Sequence, residues 1–172
     1  MVLYAERGYE ETTVAEIAER AGLTKRTFFR HFADKREVLF SGSEILEQEM
    51  TAAIEAAPLD APPIALIGAA LDAAAARFEG TREFAALRYR IVTSSPELQE
   101  RELIKASSLA AAMTKALSAR GLDDTAATLA AWIAMSVMHV SYERWAPAPD
   151  GAPYQQIARE ALAKLPELTA TG

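Results

Sequence analysis

Thr13-Val14-Ala15-Glu16-Ile17-Ala18-Glu19-Arg20-Ala21-Gly22-Leu23-Thr24-Lys25-Arg26-Thr27-Phe28-Phe29-Arg30-His31-Phe32 is the stretch from which the fold is read. Thr13 to Glu16 has the S/T-x-x-E form of a capping box, so a helix starts there, and apolar periodicity carries it to Ala21. Gly22 supplies a tight turn, and Thr24 is placed to cap a second helix that runs through His31. Ala18 is small enough for the two backbones to approach, while Ile17, Ala21, Leu23, Phe28 and Phe32 are expected to fill the angle between them. With those residues inward, the second helix presents Thr24, Lys25, Arg26, Thr27 and Arg30 outward. Hydroxyls and guanidinium forks reach base edges and phosphates in a major groove, so the pattern predicts a helix-turn-helix that contacts double-stranded DNA. A basic helix face alone is commonly just a solvated face; the capping box, the Ala-x-x-x-Gly spacing and the hydroxyl-rich start gain specificity by occurring together.

Charge distribution agrees with that placement. The chain has 172 residues, 51% of them apolar, and a formal charge of −6. Up to residue 40, seven Lys or Arg balance seven acids, so the deficit lies in the remainder. Leu23 to Arg36 is locally basic, with five cations against Asp34 alone. Cysteine is absent, which rules out disulfides, thiolate metal sites and a cysteine nucleophile, and fits a reducing cytoplasm. Glu6, Arg7, Glu10 and Glu11 occupy the place where a secretory peptide needs an apolar run. No charge occurs from Thr125 to Tyr142, but this stretch is rich in Ala, Thr and Ser and contains His139, so it reads as a core helix and not a membrane span.

Helical periodicity holds nearly everywhere and no alternating run suggests a sheet, which predicts an all-α protein. Residues 1–40 read as an N-terminal helix-turn-helix DNA-binding domain and 41–172 as a C-terminal helical domain. A first helix should end at Arg7–Gly8, a long one run from Lys35 to Ala57, and the Pro-rich segment 57–63 form a linker. Further helices are expected over 64–79, 81–94, 96–120 and 123–145, with Ser95 as a cap and Pro96 in the first helical position. A Pro/Gly loop over 146–153 precedes a last helix ending near Leu165, and the tail 167–172 is expected to fray.

Gly8-Tyr9 followed by Thr12-Thr13-Val14-x-x-Ile17-Ala18-x-x-Ala21-Gly22-Leu23-Thr24-Lys25-x-Thr27-Phe28-Phe29-Arg30-His31-Phe32-x-x-Lys35 resembles the TetR/AcrR family of repressors. The resemblance covers residues 1 to about 45 and implies an all-helical homodimeric repressor whose C-terminal helical domain, 41–172, serves ligand binding and dimerisation and takes a small-molecule inducer; two copies related by a two-fold axis should read a palindromic operator. By matching position, Thr24, Lys25, Arg26 and Thr27 would approach bases and nearby phosphates, while Thr13, His31 and Lys35 would hold the DNA backbone. Phe29 stands where many members carry a tyrosine whose hydroxyl touches phosphate, so that interaction should be missing or replaced by packing. The family pattern also has about one more helical segment before Leu3, which implies a misassigned start or an incomplete first helix.

Beyond the linker the signals are weaker. The resemblance places the dimer contact on the last two long helices, near 123–145 and 153–165. On the first of these, Trp132, Met135, His139 and Tyr142 share one face and Ala130, Ile133, Val137 and Val140 another, so one can line a cavity and the other meet a second subunit. Ala127, Ala131 and Ala134 permit close helix approach. A ligand pocket is expected among Phe84, Leu87, Arg88, Ile91, Met113, Trp132, Met135 and His139. The run Arg88 to Val92 followed by Ser95 to Arg101 is similar to an actinobacterial branch with ligand domains like those of acyl-CoA-responsive regulators. That implies an acyl-CoA or other anionic amphiphile; helical spacing puts Arg88 one turn from Phe84 and Ile91 as its anchor, and the competing reading is that Arg88 pairs with a neighbouring acid such as Glu102 or points to solvent. No carboxylates gather with a histidine, and only His31 and His139 are present, so neither an enzyme, a metal site nor a cofactor is expected. The alternative class is a helical protein-interaction module that has lost operator binding.

Overall fold

The computed structural model describes residues 1–169, which fold into helices and their connecting turns with no strand among them. The helix-turn-helix comprises α1 (Val2–Arg7), α2 (Val14–Arg20) and α3 (Lys25–His31). After it come α4 (Glu37–Phe40), α5 (Ser43–Ala56), α6 (Pro63–Phe78), α7 (Arg82–Thr93), α8 (Pro96–Ala119), α9 (Asp124–Trp145), α10 (Tyr154–Leu162) and α11 (Leu165–Thr169).

The expected long helix from Lys35 to Ala57 is in fact two. Asp34 Oδ1 accepts from the backbone N–H groups of Arg36 and Glu37, at 2.8 and 3.3 Å, which delays the start to Glu37. The break falls at Ser41–Gly42, where a Cβ built on Gly42 would lie 3.2 Å from Arg77 Nη2 of α6. Ser95 occupies the N-cap position of α8, but its buried hydroxyl makes no cap bond; Pro96 does take the first helical position. Residues 165–169, expected to belong partly to a frayed tail, form α11; positions 170–172 lie outside the described residues.

Two apolar clusters hold the molecule. The larger joins α5, α6, α8, α9 and α10 through Met50, Ile54, Leu66, Met113, Leu117 and an alanine-rich set including Ala70, Ala74, Ala127, Ala131 and Ala134. Side chains this small let helix axes come close, as expected for Ala127, Ala131 and Ala134. The smaller cluster, Tyr4, Tyr9, Leu39, Phe40, Ile91, Val92 and Leu98, seats α1 and α4 on α7 and the start of α8. Two arginines close the loops. Arg120 donates to the carbonyls of Ile54 and Glu55 in the last turn of α5 and of Ala57 and Pro58 just beyond it, and Arg82 to those of Ala148, Pro149, Gly151 and Ala152 after α9.

Candidate nucleic-acid interface

The local bonds of α2 and α3 follow from their sequence. Thr13 Oγ1 accepts from Glu16 N at 3.3 Å, and Glu16 Oε2 accepts from Thr13 N at 2.9 Å, completing the capping box. The Thr13 backbone N–H first, and then the Thr13 hydroxyl donating to the same Oε2 at 2.9 Å, hold the Glu16 carboxyl below its usual range. At the other end of α2, Gly22 N–H donates to Glu19 O and Leu23 N–H to Ala18 O, a Schellman pair that needs the left-handed φ of 67° at Gly22. Thr24 caps α3, its Oγ1 accepting from Thr27 N at 3.2 Å and lying 3.1 Å from Thr27 Oγ1. Ala18 and Phe28 are buried where the helices cross, and Phe28 also stacks at 5.2 Å on Phe32. Ala21 and Leu23, expected inside, are exposed instead, because the Schellman turn directs both away from the crossing.

The outward side of α3 carries Lys25, Arg26, Phe29 and Arg30, all exposed, with His31 exposed at its C-terminal end and Thr27 half-buried. Among the described residues no ion pair engages Lys25, Arg26 or Arg30. Every other cation up to Arg36 is engaged. Arg7 meets Glu16, Arg20 lies 3.9 Å from Glu6, and Arg36 pairs with Asp34 and, at 3.1 Å, with Glu97. The Arg36 bonds hold the Asp34 carboxyl below its usual range.

The comparisons with known proteins agree on what carries this arrangement. Residues 1–41 match the family described as bacterial regulatory proteins, tetR family, and residues 61–169 match the MftR C-terminal domain. The chain belongs to the TetR family of transcriptional regulators. It is similar to the HTH-type transcriptional regulator TcmR of Streptomyces glaucescens, 31% identical over 130 residues; the match spans 70% of this chain but 57% of that protein. The crystal structure of the TetR family transcriptional regulator PfmR from Thermus thermophilus superposes with a TM-score of 0.55 and 26% identity, covering 95% of this chain and 92% of that one. A TetR/AcrR regulator from Thermobifida fusca aligns at a TM-score of 0.49 and 22% identity, over 99% and 93% of the two chains. The all-α architecture with its helix-turn-helix is therefore that of a DNA-binding TetR-family regulator.

Lys35 is the cation whose expected role the structure replaces. Its Nζ donates to the carbonyls of Tyr9, Glu10 and Thr12 at 2.8, 3.1 and 3.2 Å and lies 4.3 Å from the centroid of the Tyr9 ring. An ammonium has three N–H donors, so none is left for a phosphate. Tyr4 OH, on α1, donates to Lys35 O at 2.5 Å, so both α1 and the loop before α2 are tied to the loop after α3. Sequence reasoning missed this because the acceptors are backbone carbonyls, which no side-chain pattern announces.

In the C-terminal unit of this TetR-family chain the expected ligand residues do not converge. Leu87 and Ile91 belong to the smaller cluster, Met113 and Met135 to the larger core, and Phe84, Trp132 and His139 are exposed. His139 lies 3.6 Å from Glu143 on the surface of α9. Arg88 is engaged elsewhere: Nε donates to Leu39 O at 3.0 Å, Nη1 to Glu102 at 2.8 Å, and the guanidinium lies 5.0 Å from the Phe40 ring. The Glu102 pairing is the one seen, so Arg88 is not an available anchor for an anionic ligand. A surface cleft of 270 Å³ between α6 and α10 is lined by none of these eight residues, and neither is one of 200 Å³ beside His31 and Lys105. No group of three potential metal ligands occurs among the described residues, and no helix there is long and apolar enough to cross a membrane.

The polar residues that sequence reasoning passed over are those joining the DNA-binding helices to the rest. Glu37 on α4 accepts from Arg101 at 2.7 Å and lies 3.2 Å from Lys105, both on α8. With Arg36–Glu97 and Arg88–Leu39, these contacts fasten α4 to α7 and α8 around the smaller apolar cluster.

Proposed function

We propose that this TetR-family regulator is a repressor that binds an inverted-repeat operator as a homodimer, with one α3 in each of two successive major grooves, and is released by a small molecule bound among its C-terminal helices. The observation that carries the DNA side is the set Lys25, Arg26 and Arg30, left without acidic partners on the exposed face of α3 while the neighbouring cations are engaged. Long cations beside the Thr24 and Thr27 hydroxyls suit phosphates and base edges together. The dimer reading is supported by the outward face of α9, where Leu129, Trp132 and Val140 are exposed in the single chain. Release follows the fastening of α4: a ligand that favours another arrangement of α7 and α8 shifts the spacing of the two α3 helices and lowers operator affinity by linkage.

Fluorescence anisotropy with a random-sequence duplex, then with a duplex selected from a random library, tests this reading. Binding should weaken linearly in log affinity against log salt, and the selected duplex should be an inverted repeat with half-sites about 34 Å apart. Absence of binding to any duplex at low salt would leave the protein-interaction module as the better account. Fatty acids and acyl-CoA titrated into the complex test the anionic-amphiphile class of inducer.

A further inference from the structure

The ring of Phe29 stands in the middle of the cationic face of α3. At about 100° per residue, Phe29 lies about 40° from Lys25, about 60° from Arg26 and about 100° from Arg30, so the three cations surround it. It is 55% exposed, whereas Phe28 beside it is 2% exposed. One edge rests on Phe28, in a T-shaped contact with centroids 5.5 Å apart, and Phe28 is held in turn by Phe32. The ring is thus oriented from behind and open in front. It does not pack into the protein, contrary to one of the two expectations for this position.

We infer that Phe29 reads the 5-methyl group of a thymine in each operator half-site. The inference rests on α3 being the helix that enters the major groove. Phenylalanine has no donor or acceptor, so it cannot bond to a phosphate or to the polar edge of a base. The flanking cations bring it against a polyanion, and the apolar group that a major groove displays is the thymine methyl. Burying that methyl against the ring removes apolar surface of both from water, while Lys25, Arg26 and Arg30 take the phosphates on either side. The other apolar surface near a groove wall is deoxyribose, which is common to every sequence and would give affinity without thymine preference.

The test uses the full chain and the duplex selected from a random library, with each thymine of a half-site replaced in turn by 2′-deoxyuridine. That replacement removes the methyl and keeps the pairing edge. One position per half-site should weaken wild-type binding about fourfold, the worth of one buried methyl-sized group, with an unchanged salt slope. Phe29→Ala should lose a similar factor on the thymine duplex and bind the thymine and deoxyuridine duplexes equally, and Phe29→Leu should keep part of the discrimination. Thermal melting of both variants checks that α3 still folds, which the exposure of Phe29 favours. Wild type that binds every deoxyuridine duplex as tightly as its thymine parent would overturn the inference. So would a Phe29→Ala variant that still discriminates the two, or one that loses equally on both as a sugar contact requires. Failure to bind any duplex would instead remove the DNA reading on which the inference stands.

Discussion

Lys25 and Lys35 carry the same charge to different ends. Lys25 is exposed on α3 with no acidic partner, whereas the Lys35 ammonium is held by three backbone carbonyls and the Tyr9 ring. Lys25→Ala should therefore leave thermal stability nearly unchanged and reduce the slope of log affinity against log salt by about 0.9 for each phosphate it no longer neutralises. Lys35→Ala should do the reverse. It strands carbonyls in the loop before α2, so the expected cost is about 1–3 kcal/mol, read as a lower Tm, with a salt slope near that of wild type once binding is measured below the transition. A Lys35→Ala protein of unchanged Tm and reduced slope would return Lys35 to the DNA backbone.

At the scale of elements, α4 is the joint between the helix-turn-helix and the helical body. It has four residues, too few to be stable alone, and is kept by what it touches: Leu39 and Phe40 in the smaller cluster, Glu37 on Arg101 and Lys105, and Leu39 O on Arg88. Arg88→Ala should remove the bond to Leu39 and the guanidinium from the Phe40 ring together. Amides of Glu37 to Phe40 should then exchange about tenfold faster, while those in the middle of α9 keep their protection. Equal acceleration in both would mean that Arg88 supports the whole fold and not this joint. Such contacts also mark how far the sequence could be read. The Thr13–Glu16 capping box, the Thr24 N-cap and Gly22 are local and were legible, so α2 and α3 lie where their residues predict. The approach of Arg77 to Gly42 and the ties of Lys35 and Arg88 to carbonyls run between segments distant in sequence, so none leaves a periodic trace. Helical spacing gives each expected ligand residue a face but not the neighbour that covers it; hence Ile91 and Met135 fall in different clusters.

For the whole molecule, the proposed homodimer turns on which face of α9 would meet a second copy. Ala134 and Val137 point into the core of the single chain, while Thr125, Leu129, Trp132, Ser136, Val140 and Glu143 line the outward face. Trp132 is 48% exposed against 5% for Val137, and Arg144 on α9 reaches Glu160 on α10 at 4.0 Å, so the two helices share one border of this surface. A two-fold axis brings a patch against itself, and Trp132 lies near the middle of α9. Trp132→Glu should therefore fold as a monomer, because the new carboxylate is solvated in the single chain but faces its own copy, desolvated, in the dimer. Sedimentation should show half the wild-type mass with a preserved helical spectrum. Val137→Glu buries its charge within one chain and should unfold rather than dissociate. Trp145 is buried in the single chain, so emission that shifts on dilution reports Trp132 leaving the interface. The monomer should bind an isolated half-site as wild type does, yet lose about 100-fold or more on the full operator, since engagement of the second half-site is then no longer intramolecular. A folded Trp132→Glu protein that still sediments as a dimer would place the interface on another face of the helical body.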